Sequence, residues 1–262
     1  MKPYLYMIKI KLLLSLNYRF EFYISLLVQV IFLFTSIFFW KAAYKGVGVV
    51  ENVNEQQMLT YSVISLILSS IFITKVESTI QGKVRKGNIA VDYIKPTNIF
   101  LMYFSEDIGD VVTSIIQKAF PVFVFSFLFI NPLPTSAVNL ILFLLSSCLS
   151  YLILWLISAI IGLFYFRVID MGPVGIIKDY LVRVLSGSFV PIWFFPKSVQ
   201  AVLNYLPFIY TYQLPLSIYI GRSTINAAFK GMLVQVLWVL IFYFLFKRLK
   251  DKIEQNIFVQ GG

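Results

Sequence analysis

Histidine is absent from this sequence, and cysteine occurs once, at Cys148. The first absence removes the usual general base and the commonest metal ligand. The second removes intrachain disulfides and Cys/His metal clusters. Cys148 lies in the uncharged run 140–156, where it reads as a small buried hydrophobe. Charge is also scarce, at 13% of residues against about 25% in a soluble domain, while 59% are apolar. Too few polar groups remain to coat a water-soluble globule, so lipid must solvate much of the surface. Nucleotide-binding and hydrolytic signatures are missing as well. GKVRKG at 82–87 lacks the GxxxxGK[ST] pattern and no apolar strand precedes it; GxSxG, HExxH and CxxC do not occur. The sequence therefore reads as no enzyme. No cleavable leader is expected either: the first apolar run starts at Phe22, is too long for a signal core and lacks a small-x-small site.

What the sequence does have is long apolar runs. A bilayer core needs about 20 apolar residues in a helix. The runs 22–40, 58–74, 111–130, 137–166, 174–189 and 227–246 give six expected spans, the third interrupted by Lys118 and Pro121 and the fifth carrying Lys178, Asp179 and Arg183. The segment 187–222 is apolar but holds Pro191, Pro196, Pro207 and Pro215. Each proline removes a backbone donor, which disfavours one continuous helix in lipid. It reads as two short, proline-bounded helices that enter the membrane from outside and return. With the N-terminus inside, inner segments hold fifteen Lys and Arg and outer segments five, as the positive-inside rule requires. A seventh span would place the cluster Lys247–Lys252 outside. The net charge of +10 thus sets orientation and touches anionic lipid; the bases flank apolar runs, which argues against a nucleic-acid partner.

The segments between spans follow. Residues 1–20 carry Leu5, Ile8, Leu12 and Leu16 at helical spacing and read as an interfacial helix or a plain lead-in. The first outer loop is short and polar. The loop 75–98 (KVESTIQGKVRKGNIAVDYIKPTN) contains a short helix from Glu77 to Lys86 with Ile80 and Val84 on one face. Gly87 is a natural stop, and Thr97 or Asn98 caps the next helix. Such a helix docks on a protein or a lipid surface, or the loop is simply solvated. Glu106, Asp107 and Asp110 read as a solvated helix start rather than a cation site. Intramembrane charges are functional candidates by default: Lys118 should face a cavity or an acid, and Asp179 and Arg183 either pair as i,i+4 neighbours or line a path. Trp193, Phe194 and Phe195 suit an interfacial belt or an outer gate. The tail 247–262 continues the last helix into the cytosol.

Three stretches carry a resemblance to a known family. IQGKVRKGNIAVDYIKP (80–96) matches, through Gly87, Ile89, Tyr93, Ile94, Lys95 and Pro96, the cytoplasmic-loop pattern of ABC-2-type permeases, with Tyr93-Ile94 in place of the commoner Leu-Leu. SGSFVPIWFFPKSVQAVLNYLPFIYTYQLPLSIYIGR (186–222) is similar to that family's outer re-entrant helices, and FVQGG to an ending of its small-permease subgroup, which includes daunorubicin-resistance-like and viologen-exporter-like systems. The resemblance implies an all-α polytopic permease domain spanning 1–262, in a bacterial-type inner membrane, with both termini cytoplasmic. It implies a dimer with a second copy or a sister permease, seated on two ABC ATPase subunits that bind the ATP and Mg; this chain would bind no cofactor. Residues 75–98 would be the coupling loop, with Glu77, Ile80, Lys83, Val84, Arg85, Lys86, Gly87, Tyr93 and Pro96 in contact with the ATPase. Lys118, Asp179, Arg183, Trp193, Phe194 and Phe195 are candidates for path or gate. The cargo would be an amphipathic drug, peptide or lipid-like molecule moving outward. The alternatives are an ion-coupled secondary transporter, against which the missing histidine and scarce deep acids count, or a non-transporting scaffold.

Overall fold

The computed structural model describes residues 2–17, 19–46, 48–168 and 171–260, so the last two residues of the FVQGG ending lie outside the described residues. The described chain is almost wholly helical. The helices are α1 (Lys2–Asn17), α2 (Arg19–Ala43), α3 (Glu55–Ile71), α4 (Val76–Arg85), α5 (Ile89–Ile94), α6 (Ile99–Ser114), α7 (Phe120–Ser126), α8 (Ala137–Phe164), α9 (Val174–Leu185), α10 (Lys197–Leu203), α11 (Gln213–Tyr219) and α12 (Ile225–Gln260). A π-helical turn, Ile115–Ala119, joins α6 to α7. Among the described residues, five helical stretches are long and apolar enough to cross a membrane: Phe22–Ala43, Glu55–Arg85, Ile99–Ser126, Ala137–Phe164 and Ile225–Gln255.

The segment expected as a fifth span forms only the 12-residue α9, about 18 Å long and short of a full hydrocarbon core. It nevertheless runs most of the length of α3. Lys178 near its start meets Thr74 and Glu77, while Gly187 and Ser188 just past its end accept hydrogen bonds from Tyr61 and Ser65. The chain therefore passes from the end of the bundle that carries α4 and α5, here the hairpin end, towards the opposite or cap end.

Local chemistry fixes the boundaries. Asn54 caps α3 in a capping box with Gln57, and Ser136 caps α8. At the cap end the loop before α3 is not merely polar. It holds a two-residue hairpin, β1 (Val49–Val50) against β2 (Val53–Asn54), with Glu51 and Asn52 both at positive φ. Two positive φ values in a two-residue turn match the right-handed strand twist. The loop's composition hid this, because neither turn residue is glycine.

α3 and α8 are the most enclosed spans, and α2 and α12 the least. Side chains at Leu33, Met58, Tyr61, Val63, Ala159, Leu163, Leu216 and Ile218 close the core. α1 packs lengthwise on α6: Tyr4 accepts a hydrogen bond from the Asn98 amide, Lys11 approaches Asp110, and Gln117 donates to Ser15. Of the expected apolar stripe, Leu5 points outward and Ile8 abuts Gly109; the Leu16 side chain lies outside the described residues. Cys148, expected to be buried, is exposed on α8, whose outward face is apolar and therefore ordinary for a helix in lipid.

Between α9 and α12 the chain dips. Lys197 at the start of α10 lies 3.8 Å from Glu51 at the cap end. The carbonyl of Tyr210 then accepts from Ser150 and from Gln235. Ser150 is 14 residues along α8 from its capping Ser136, which places this turn about 21 Å down the bundle. α11 brings the chain back, and Tyr219 bonds Thr135 and Pro132 at the cap end. Non-helical backbone at this depth must be satisfied by protein. Gln235 does this: its amide oxygen accepts from Ser146, and its nitrogen donates to Ser146, Ser150 and Tyr210. Pro196 and Pro207 lie just ahead of a helix or helical turn, and Pro215 sits in the first turn of α11, where its missing donor costs nothing.

Candidate functional site

The candidate site is the junction between α4 and the ends of the spans at the hairpin end. α4 follows α3 after a four-residue break, so α3 and α4 form one nearly continuous stretch. Its C-terminus is closed by a Schellman turn: the Asn88 amide donates to the Lys83 carbonyl and the Gly87 amide to Val84, with Gly87 at φ +69. α5 then returns beneath α4.

Beneath the first turn of α4 lies a buried ion pair. The Lys178 ammonium of α9 donates to Glu77 Oε1 at 2.5 Å and to Ser158 Oγ at 2.7 Å, and lies 3.0 Å from Asp179. Thr74 is within 3.3 Å of the same nitrogen and 2.6 Å from Ser158. The Glu77 and Lys178 side chains are 7% and 8% exposed, so water screens this pair little. A buried ion pair needs other polar groups to complete its hydrogen bonding; the two hydroxyls supply that for the ammonium, while Glu77 Oε2 is buried without a hydrogen bond among the described residues. A second set of bonds lies alongside. Asp107 of α6 accepts from the Lys75 amide and from Trp155 Nε1 of α8 at 3.0 Å. Asp110 bridges Lys75 at 3.0 Å and Lys11 at 3.7 Å. α4 is thus bonded at its start to α6 and α9 directly, and through Asp107, Asp110 and Lys178 to α8 and α1.

A third node holds α5. Asp92 is buried, and Lys83, Lys95 and Tyr103 all donate to its carboxylate. Burial alone would raise its pKa. The hydrogen bonds from both lysines and the tyrosine outweigh that and hold it at about 2. Tyr93, half buried and edge-on to Phe166, has its hydroxyl pushed up to about 12 by burial and then by Glu254.

The structure distributes the sequence-predicted residues unevenly. Ile80 does not face outward: it is wholly buried against Gly162 of α8, where a Cβ would come within 2.7 Å of its Cδ1. Val84 packs partly against the same core. The predicted apolar docking stripe is therefore the attachment of α4 to its own spans, because an apolar face beside an apolar bundle is buried first there. The outward surface of the hairpin carries Arg85, Lys86, Gly87 and Pro96, with Val91 and Ile94 of α5 exposed beside them. The outer shallow cleft is lined by Ser78, Thr79, Gly82, Lys83, Lys86 and Val91.

Asp179 does not pair with Arg183. Among the described residues it bonds Lys178 instead, and Arg183 is exposed. Asp107, read as part of a solvated helix start, is buried, since α6 begins at Ile99, capped by Asn98, and the acids fall in its interior. Lys118 sits in the π-helical turn, half buried and without an ion pair among the described residues. Single-turn π segments often mark functional sites.

At the cap end, Trp193 is not an interfacial anchor but is 5% exposed, edge-on to Tyr61 at 5.1 Å, with the Arg222 guanidinium 4.2 Å over its ring. Phe194 stacks on Trp40 of α2, and the Phe195 carbonyl accepts from Gln200. The Tyr61 hydroxyl bonds the Gly187 carbonyl at 2.7 Å and Gln213 Oε1 at 2.8 Å. Gly187 has φ +79, and a Cβ there would lie 2.3 Å from that same Gln213 oxygen. These contacts close the cap end. Asp92, Gln213 and Gln235 escaped the sequence reading. A glutamine midway through a span is a legible signal, but its partners on α8 and at Tyr210 are not.

Comparison with known proteins completes the picture. Residues 30–253, from the middle of α2 to near the end of α12, match the family described as ABC-2 family transporter protein. No curated protein matches the chain.

Proposed function

This chain belongs to the ABC-2 family of transporter proteins, and from that premise we propose that it is the transmembrane subunit of an ATP-binding-cassette exporter, driven by a separate ATPase. It is a multi-pass membrane component and carries no recognisable phosphate-binding loop. The hairpin α4–α5 faces the cytosol and seats on one ATPase subunit; a second permease copy or sister permease seats on the other. The observation that carries the reading is the bonding of α4. A nucleotide can shift a transporter only through contacts that differ between its states, and those contacts need a handle that does not yield. Glu77 to Lys178, which in turn bonds Ser158, Lys75 to Asp107, and Ile80 against Gly162 tie that handle to α6, α8 and α9. A push on the hairpin is delivered to those spans and, through α9, to Gly187 beneath the cap. There Tyr61, Gln213, Trp193 and Phe194 form the closed outer gate. The cargo is an amphipathic drug, peptide or lipid-like molecule.

The test is co-purification with the ATPase subunit, followed by its hydrolysis rate in proteoliposomes with candidate cargoes. The reading expects a stable complex and cargo-stimulated hydrolysis that falls at least tenfold with Lys178→Met. A permease indifferent to any ATPase contradicts it.

A further inference from the structure

α6 and α12 diverge at the hairpin end and leave a cleft of about 310 Å³ between them. Its floor is three buried rings, Phe100, Trp155 and Phe246; Leu101, half exposed, forms one lip, and Lys247 and Lys250 stand at the mouth with one acid, Asp251, beside them. The volume lies at the lower end of small-molecule sites, about 300–1,000 Å³. The rings pack edge-to-face on one another, Phe100 on Phe246 at 4.9 Å, so the floor is built rather than left by loose packing. Lys250 Nζ lies 5.8 Å from the Phe100 ring, over the floor rather than out in solvent. Residues 247–254 hold four cations and two acids, and Lys250 shares its charge with Glu254 at 3.6 Å, which leaves Lys247 without an ion pair among the described residues.

We propose that this cleft binds one anionic phospholipid from the leaflet on the hairpin side. Its acyl chain lies on the ring floor past Leu101, and its phosphate lies between Lys247 and Lys250. The two chemistries in one groove select this occupant. Apolar surface at bilayer depth takes an acyl chain, and a basic mouth between spans attracts a negative headgroup. A zwitterionic headgroup brings a cation along with its phosphate to a run whose four cations and two acids already leave it net positive, whereas an anionic one adds none. The inference rests on the chain being membrane-embedded with the hairpin end at the anionic leaflet. It needs no ATPase, so failure of the exporter assignment leaves it standing.

The test uses the full chain in a neutral maltoside detergent, with retained lipid counted by native mass spectrometry. Phosphatidylglycerol is expected to be retained, one per chain, at a concentration tenfold or more below that needed for phosphatidylcholine. Lys247→Ala with Lys250→Ala abolishes that preference, and Lys247→Arg with Lys250→Arg keeps it, which separates lost charge from lost fold. Lys252→Ala, in the same basic run but outside the cleft, leaves it intact, and Leu101→Trp, which fills the lip, reduces retention. Equal retention of the two lipids overturns the proposal. So does a loss in Lys252→Ala as large as in the double variant, or full displacement by glycerol phosphate, which carries the headgroup charge without a chain.

Discussion

Lys178 and Glu77 illustrate how a few side chains decide what the bundle can do. Lys178→Met leaves Glu77 charged and buried without its partner, an arrangement that costs roughly 3–5 kcal/mol. A large fall in the thermal midpoint in detergent is expected, and Lys178→Met with Glu77→Gln should recover most of it, since two neutral groups need no counter-charge. At Asp92 the prediction concerns pH. Its folded pKa of about 2 lies below the 3.8 of an unperturbed aspartate, so its contribution is present above about pH 4 and is lost as pH falls towards 2. The shift corresponds to about 2 kcal/mol at full ionisation. Peptic cleavage between Lys83 and Lys95 should accelerate over that window, and Asp92→Asn should show the fast rate already at pH 4.5. Gly187→Ala should destabilise by roughly 2–3 kcal/mol, because alanine is strained at φ +79 and its Cβ overlaps Gln213. Equal midpoints for this variant and the parent would show that the cap contact is absent in solution.

Helix by helix, legibility in the sequence follows what each element packs against. Spans 22–40 and 137–166 were readable because lipid demands the same apolar run whatever the neighbours are, and caps such as Asn98 and the Gly87 stop were readable because they are local. α9 is shorter than the run 174–189 suggests, and the partner that neutralises its Lys178 lies about a hundred positions away in sequence. α4 is legible with nearly its true limits, but the sequence does not show that α8 covers its apolar face at Ile80. Periodicity locates a stripe without naming what it touches. The structure reverses a mutational expectation accordingly. Ile80→Asp should abolish folding, whereas Ile94→Asp, at an 82% exposed position on α5, should leave the thermal midpoint unchanged and weaken ATPase association about tenfold. Pull-down with each variant, beside its melting curve, separates the two.

Across the whole molecule, two closed ends are connected by enclosed helices. α3 and α8 form the centre, the hairpin end is bonded through Glu77, Asp107 and Asp92, and the cap end through Tyr61, Gln213 and Arg222. α9 touches both, at Lys178 and just beyond its end at Ser186 and Gly187, and so connects the two ends beside α3, which runs covalently into α4. The direct measurement is photo-crosslinking from position 94 of the hairpin in membranes that contain the co-expressed ATPase. The account predicts a crosslink to the ATPase whose yield changes when a non-hydrolysable ATP analogue is added. Labelling of position 94 from the outer face, or a crosslinking yield indifferent to nucleotide, would contradict it.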